Sequence, residues 1–340
     1  MIPFSYVRGA SVDDAQRALA AAAPGAGQFL AGGTNVIDLM KIGVVQPGLL
    51  VDIADLGAEL GTIRSEPDAL HLGALVRLAD AADHPAIRRD WPVLHGSLWL
   101  AASPQLRQMA SLGGNVLQRT RCNYFRDVSW ACNKREPGSG CSAIGGVSRR
   151  LAVLGVSDQC IANYPGDFGV ALVALEAEVE TRRPDGENRR FPFEALHRPP
   201  ADSPHLETTL EPAELITGFR VPRGPWLQRS RYVKVRDRES YDFALASAAV
   251  ALELQDGAVA SVRIGLGGLA ATPWRSREAE ALLVGRPLDE AAAREAAEAA
   301  FASAVVHEGT AFKPELGRRT LVRALLEAAE SAPVPRGDVA

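Results

Sequence analysis

The stretch Gln28-Phe29-Leu30-Ala31-Gly32-Gly33-Thr34-Asn35, with Val36 to Lys41 after it, decides how the chain is read. A short apolar run is broken by two glycines, and a helical pattern then runs until Gly43 ends it. Glycines between a strand and a helix let backbone N–H groups approach an anion, and the helix N-terminus adds a favourable dipole. Ser111-Leu112-Gly113-Gly114-Asn115-Val116 offers the same kit about eighty residues later. One such motif reads equally well as a tight turn. Two of them could grip both phosphates of a dinucleotide, and two structural turns are the reading if nothing else agrees. Neither fits Gly-x-Gly-x-x-Gly and no Walker A loop occurs, so a Rossmann nicotinamide site is not supported.

Outward from the first motif, the first 57 residues read as a small α/β unit. Ser11-Val12-Asp13-Asp14 opens a helix with an N-cap and an acid three residues on; the helix stops at Pro24-Gly25, and Leu49 to Ile53 is a buried strand. A mixed region follows from about residue 60 to residue 222. It holds a strand at Leu70 to Leu75, a helix at Pro92 to Ala101, an apolar run at Val170 to Val179, a turn at Pro184-Asp185-Gly186 and a strand from Leu215 to Val221. Residues 223–230 form a boundary. Beyond it come Tyr232 to Val235 and a hairpin signal, Ala244 to Leu254 joined through Asp256-Gly257 to Val259 to Leu266. Helices at about 275–284, 289–303 and 318–330 complete an α+β third region, and the last ten residues read as a frayed tail.

A chain of 340 residues has room for two or three cores. Its net charge of −4, without a basic block, gives no reason to expect nucleic acid. No apolar run approaches a membrane span, so no membrane insertion is expected. Met1-Ile2-Pro3-Phe4-Ser5-Tyr6 lacks the features of a signal peptide, which places the chain in the cytoplasm unless a partner carries it out folded.

All four cysteines, Cys122, Cys132, Cys141 and Cys160, fall in one stretch, residues 119–163, that is rich in Gly, Asn, Arg and Ser. A loop this long needs something to organise it. Four thiolates can close a zinc site or hold a cubane of iron and sulfide. The wide spacing, with no Cys-x-x-Cys, speaks against a zinc ribbon; disulfides need an oxidising compartment, and inert thiols are the plainest alternative. From chemistry alone a cluster leads and zinc follows. Asp167, after Tyr164-Pro165-Gly166, either caps the run behind it or binds a ribose hydroxyl. Lys234 alternates within an apolar strand, where a lone lysine belongs on a solvated face. Asp242 and the six histidines form no metal-ligand spacing, and no set of acid, base and nucleophile stands out, so no catalytic residue is assigned.

Taken together, Phe29 to Asn35, Ser111 to Val116, Asp167 and Tyr232-Val233-Lys234-Val235-Arg236 resemble the FAD-binding (medium) subunit of the xanthine dehydrogenase/aldehyde oxidase family, in the right order from Pro3 to about Ser331. Gln118 to Arg126, Cys132 to Cys141 and Ser157 to Ala162 are similar to the bacterial three-subunit, periplasmic-type aldehyde oxidoreductase branch, whose FAD subunit carries a [4Fe–4S] cluster in an inserted loop. The resemblance implies an α+β fold: a two-lobed FAD-binding domain of the vanillyl-alcohol-oxidase (PCMH) type over 1–222, then a smaller α+β C-terminal domain of the CO dehydrogenase flavoprotein type over 229–331, then a tail at 332–340. The lobes would span about 1–57 and 58–222, with the iron–sulfur insertion at about 119–163.

By the same resemblance, Phe29, Leu30, Ala31, Gly32, Gly33, Thr34 and Asn35 would surround the FAD pyrophosphate. Ser111, Gly114, Asn115 and Gln118 would face it from the second lobe, Asp167 would sit at the ribose end, and Ile216 and Lys234 would lie near the flavin. Gln118 departs from relatives without the insertion, which often carry Thr or Ser there. Cys122, Cys132, Cys141 and Cys160 would ligate the [4Fe–4S] cluster. The implied partners are a molybdenum–pterin subunit that oxidises an aldehyde and a small [2Fe–2S] subunit, in a heterotrimer, with an external electron acceptor. A stand-alone flavin oxidase and a zinc-stapled binding module without a redox role are the rival readings.

Overall fold

In the computed structural model, which describes residues 1–23 and 25–331, a strand that the sequence reading passed over starts the fold. β1 (Ser5–Arg8) pairs parallel with β3 (Leu49–Asp52), and β3 pairs parallel with β2 (Gly27–Leu30). Parallel neighbours need crossovers, which α1 (Val12–Ala20) and α2 (Val36–Lys41) provide. Ser11 caps α1, its Oγ accepting the N–H of Asp14 at 3.1 Å, and Val12 and Ala15 are buried. Pro24, where this helix was expected to stop, and the expected tail at 332–340 lie outside the described residues.

A second sheet is antiparallel and runs in the order β4 (Ile63–Ser65), β5 (Ala69–Gly73), β8 (Leu215–Pro222), β6 (Glu178–Arg182), β7 (Asn188–Pro192). The long excursion between β5 and β6 carries the second glycine motif and all four cysteines. Trp91, Leu98, Phe168 and Phe219 are buried together beneath this sheet. β7 was missed because Asn188-Arg189-Arg190-Phe191-Pro192 is mostly polar; it is an edge strand, where only one neighbour must be satisfied.

The third sheet has the order β12 (Trp274–Arg275), β11 (Ala258–Gly267), β10 (Ala246–Gln255), β9 (Arg229–Val235). Its hairpin turns on Asp256 and Gly257, both left-handed with φ of 50° and 82°, as a type I′ turn requires. Ala248, Val250 and Leu252 pack with Leu321, Ala324, Leu325 and Ala328 of the helix Lys313–Glu330, which begins five residues before the expected 318. Among the described residues no helix is long and apolar enough to cross a membrane.

Lys234 is the clearest correction. Its side chain is 1% exposed, donates to Asp167 Oδ2 at 2.8 Å and to the carbonyl of Leu100 at 2.9 Å, and shares Asp167 with Tyr232, whose hydroxyl donates to Oδ1 at 2.7 Å. Tyr232 and Lys234 lie on one face of β9 and Val233 on the other. Strand alternation tells which residues share a face but not what covers it. Here the helix Pro92–Trp99 covers it. A buried pair is costly to break from one side, because the remaining charge is left without a counter-ion. Lys234→Met should therefore lower stability by about 3 kcal/mol in chemical denaturation. Asp167→Asn added to it should recover part of that loss.

Candidate functional site: a glycine seam and a cysteine loop

The first glycine motif follows β2 directly. Gly33 has φ +71°, a left-handed conformation that favours glycine, and a Cβ there would stand 3.2 Å from Ile37 Cγ1. At Gly32 a Cβ would fall 1.8 Å from the carbonyl oxygen of Met109. The first motif thus lies with its backbone on the segment that leads into the second. Ser111 opens that second motif, its Oγ accepting the N–H of Gly114 at 3.2 Å. The amides of Leu112 and Gly113 donate to the carbonyls of Val76 and Ala74 at 2.9 and 2.8 Å, which hangs the motif on the chain leaving β5.

Each motif ends in an asparagine, and each asparagine has a buried amide atom without a partner: Nδ2 of Asn35 and Oδ1 of Asn115. A buried polar atom left unpaired costs about 1–3 kcal/mol, so two of them along one seam fit a site built for a polar ligand. The helix-dipole part of the expectation fares less well. α2 has six residues and the helix Leu112–Val116 has five, too short for a substantial macrodipole. In the second motif the N–H groups of Leu112, Gly113, Gly114 and Asn115 are already spent on Val76, Ala74 and Ser111, so close approach at the glycines and the two asparagine amides are what the seam offers.

Phe29 and Leu30, at the end of β2, and Ala31 and Thr34, in the first loop, are half-buried. Gln118 donates through Nε2 to the carbonyl of Asn115 at 2.9 Å, so its amide braces the second motif. Ile216 is 4% exposed within β8, and Asp167 and Lys234 are buried in their mutual network. The helix that begins at Asp167 lies behind the second motif, and the Tyr164 hydroxyl, packed against Gly166 and Gly169, donates to the carbonyl of Val116 at 3.2 Å. Residues 29–35, 111–115 and 118 are therefore gathered at the seam, with Ile216, Asp167 and Lys234 in the interior behind it.

The cysteine loop begins where the second motif ends. Its regular structure is one helical turn, Asn123–Arg126. Cys122, Cys132 and Cys160 are buried and Cys141 half-buried, all packed in one group with Leu39, Phe125, Leu151 and Ile161. All four thiols are free, so the disulfide alternative is not realised. Burial pushes the Cys122 thiol up to about 11 and raises that of Cys160 as well. Among the described residues no group of three or more His, Cys, Asp or Glu could hold a metal ion.

Ion pairs to the rest of the chain grip this loop. Lys134 reaches Glu207 at 2.9 Å, beside Arg119 on the same carboxylate. Arg149 and Arg150 reach Asp237 at 2.8 and 2.9 Å, and Arg150 also reaches Asp242 at 2.7 Å. Arg121 and Arg126 both reach Asp38 at 2.9 Å. Burial alone would raise the carboxyls of Asp38 and Glu207, but their basic partners outweigh it and hold them below the usual range. Depressed carboxylates stabilise the fold above their unfolded pKa, and that contribution is lost as pH falls through the lower folded value. The sequence reading missed Asp38, Glu207 and Asp237 as parts of this site. The signal was the loop's lopsided charge, seven basic residues against three acidic over 119–163, which calls for acids elsewhere.

Two glycine loops meeting at a seam, followed by a separate sheet covered by helices on both faces, agree with a flavin-binding oxidoreductase subunit. Residues 2–224 match the family described as the FAD binding domain in molybdopterin dehydrogenase, and residues 231–329 match the CO dehydrogenase flavoprotein C-terminal domain. The chain belongs to this family and is one of its FAD-binding medium subunits. It is 45% identical over 309 residues to the aldehyde oxidoreductase FAD-binding subunit PaoB of Escherichia coli K12, covering 91% of this chain and 93% of that one. It is 30% identical to the carbon monoxide dehydrogenase medium chain of Afipia carboxidovorans, over 86% of this chain and 84% of that one. The solved carbon monoxide dehydrogenase of Hydrogenophaga pseudoflava contains a chain that superposes with a TM-score of 0.75 at 26% identity, over 97% of this chain and 99% of that one.

The residues that would hold FAD are Gly32 to Asn35, where the glycines allow close approach, and the edge of Ser111 to Asn115, with the two unpartnered asparagine amides facing a polar ligand. Gly33→Val puts a β-branched residue into a left-handed backbone against Ile37 and should yield flavin-poor protein, read as the absorbance ratio of flavin to protein. Gly32→Ala should do the same by forcing Met109 away.

Proposed function

We propose that the chain is the FAD- and [4Fe–4S]-carrying electron-transfer subunit of a molybdenum-dependent aldehyde oxidoreductase. A molybdenum–pterin subunit would oxidise the aldehyde, a [2Fe–2S] subunit would deliver the electrons, and an external acceptor would take them. The observation that carries this reading is the gathering of four free thiols, from a loop with almost no regular structure, into one buried group against α2. A cubane is larger than a single ion and can take its thiolates from separate turns of one enclosing loop, which suits four cysteines without a Cys-x-x-Cys better than zinc. The aldehyde is supported by the 45% identical relative, named as an aldehyde oxidoreductase subunit.

In this chain Cys122, Cys132, Cys141 and Cys160 would hold the cluster, while the glycine seam positions FAD and excludes water from its phosphates. When bound, FAD supplies a centre that takes electrons singly and gives them up in pairs. Partner surfaces are supported by apolar side chains left exposed beside the seam, Trp99, Met109 and Leu117, and on the loop, Val128, Trp130 and Val147. Nothing in the sequence supplies a convergent acid, base and nucleophile for a small substrate.

Replacing any one of the four cysteines by Ser should lower iron content, and acid release should give FAD rather than FMN. Zinc without acid-labile sulfide in the wild-type chain would overturn the cluster. The electron-transfer role is tested by mixing the isolated flavoprotein anaerobically with aromatic and aliphatic aldehydes. Flavin absorbance should stay unchanged until the molybdenum and [2Fe–2S] subunits are added; bleaching at a catalytic rate without them would promote the stand-alone oxidase.

A further inference from the structure

Helix α2 belongs to both candidate sites at once. The first glycine motif runs into it, and Asn35, at its N-cap, accepts the backbone N–H of Arg119 through Oδ1 at 3.2 Å. One turn on, Asp38 accepts Arg126 in a two-pronged pair, Nη1 to Oδ2 and Nη2 to Oδ1, both at 2.9 Å. Arg121 adds a third bond, Nη1 to Oδ2 at 2.9 Å. The next residue, Leu39, is buried in the same group as Cys122, Cys132 and Cys160. Arg121 and Arg126 bracket Cys122 and the loop's single helical turn. Arg121 is held from its other side by the ring of Phe243, 4.9 Å away.

Two-pronged arginine–carboxylate pairs fix direction as well as distance. The segment they fix is held internally by turns and by the Cys132–Cys141 and Ser157–Cys160 backbone bridges, so these anchors set its position against α2 rather than its own shape. We propose that Asp38 is a positioning residue that couples the two cofactor sites. It clamps α2, and with it Gly33 and Asn35, to the segment that carries Cys122. Ordering of the loop around its cluster then tightens the flavin seam, and by linkage flavin binding protects the cluster to the same extent. This rests on the cluster assignment made above. No contact between Asp38 and either cofactor is involved.

The test is a double-mutant cycle on the purified full-length chain, with the FAD dissociation constant read by fluorescence and iron and labile sulfide measured on the same samples. Asp38→Asn keeps the side-chain shape and removes the charge; FAD should bind about tenfold more weakly, within the usual range of coupling between sites. Cys122→Ser should weaken FAD as well, and the double variant should be no weaker than the worse single one, because both act through one link. Arg126→Gln should reproduce Asp38→Asn, which guards against a folding defect peculiar to one variant. Glu194→Gln, which breaks the remote Arg277–Glu194 pair, should leave FAD affinity unchanged. Iron-loaded protein whose FAD affinity ignores both Asp38→Asn and Arg126→Gln overturns the coupling, as do strictly additive losses in the cycle. A wild-type chain without iron and labile sulfide defeats the cluster assignment instead, so the two failures are distinguishable.

Discussion

The closest approach in the seam is backbone on backbone: Gly32 lies so near the carbonyl of Met109 that any side chain there would collide with it. That contact joins a three-stranded parallel unit to a five-stranded antiparallel one, two sheets with no strand in common. Gln16, donating to the carbonyls of Arg182 and Ala213, and the packing of Val12 and Val51 with Leu215 join the same two sheets elsewhere. At the Gly32 contact the two glycine motifs share one seam, and the unpartnered amide atoms of Asn35 and Asn115 become parts of a single site. The left-handed Gly33 then turns the chain into α2, which carries the geometry of the seam to the cysteine loop.

That loop poses a separate physical problem. Fixing one residue's backbone costs about 1–2 kcal/mol, and an exposed ion pair returns at most about 1 kcal/mol. The pairs to Asp38, Glu207, Asp237 and Asp242 add to the segment's own turns and to the burial of Val153 and Leu154 against Leu269 and Ala270 in ordering residues 119–163. They also orient it. A buried group of four thiols at its centre is the natural place for the remaining stabilisation, since metal binding to such ligands contributes directly to folding. Carboxylates from three parts of the chain aim the loop, and in the proposed reading a cluster on its thiols would close it.

Much of this was legible in the residues. Glycine pairs placed between an apolar run and a helix marked both halves of the seam, and α2 runs from Val36 to Lys41 as its pattern indicated. The Asp256-Gly257 turn and the long strands around it followed from turn chemistry. What escaped were features set by distant neighbours. Lys234 looked solvated because alternation is silent about the helix laid over that face, and β1 and β7 are short edge strands with little apolar signal. Asp38 drew no reading from the sequence, because its arginine partners lie more than eighty positions away. The charge imbalance of the loop was visible; its counter-ions were not.

The central claim is that one chain holds a flavin in the seam and an iron–sulfur cluster in the loop beside it. The most direct measurement is a stoichiometry: iron, acid-labile sulfide and FAD determined on the same anaerobically purified sample. The account predicts about four iron and four sulfide per FAD, with a broad iron–sulfur absorption underlying the flavin bands. Flavin with no sulfide, or flavin accompanied by one zinc ion, would contradict it.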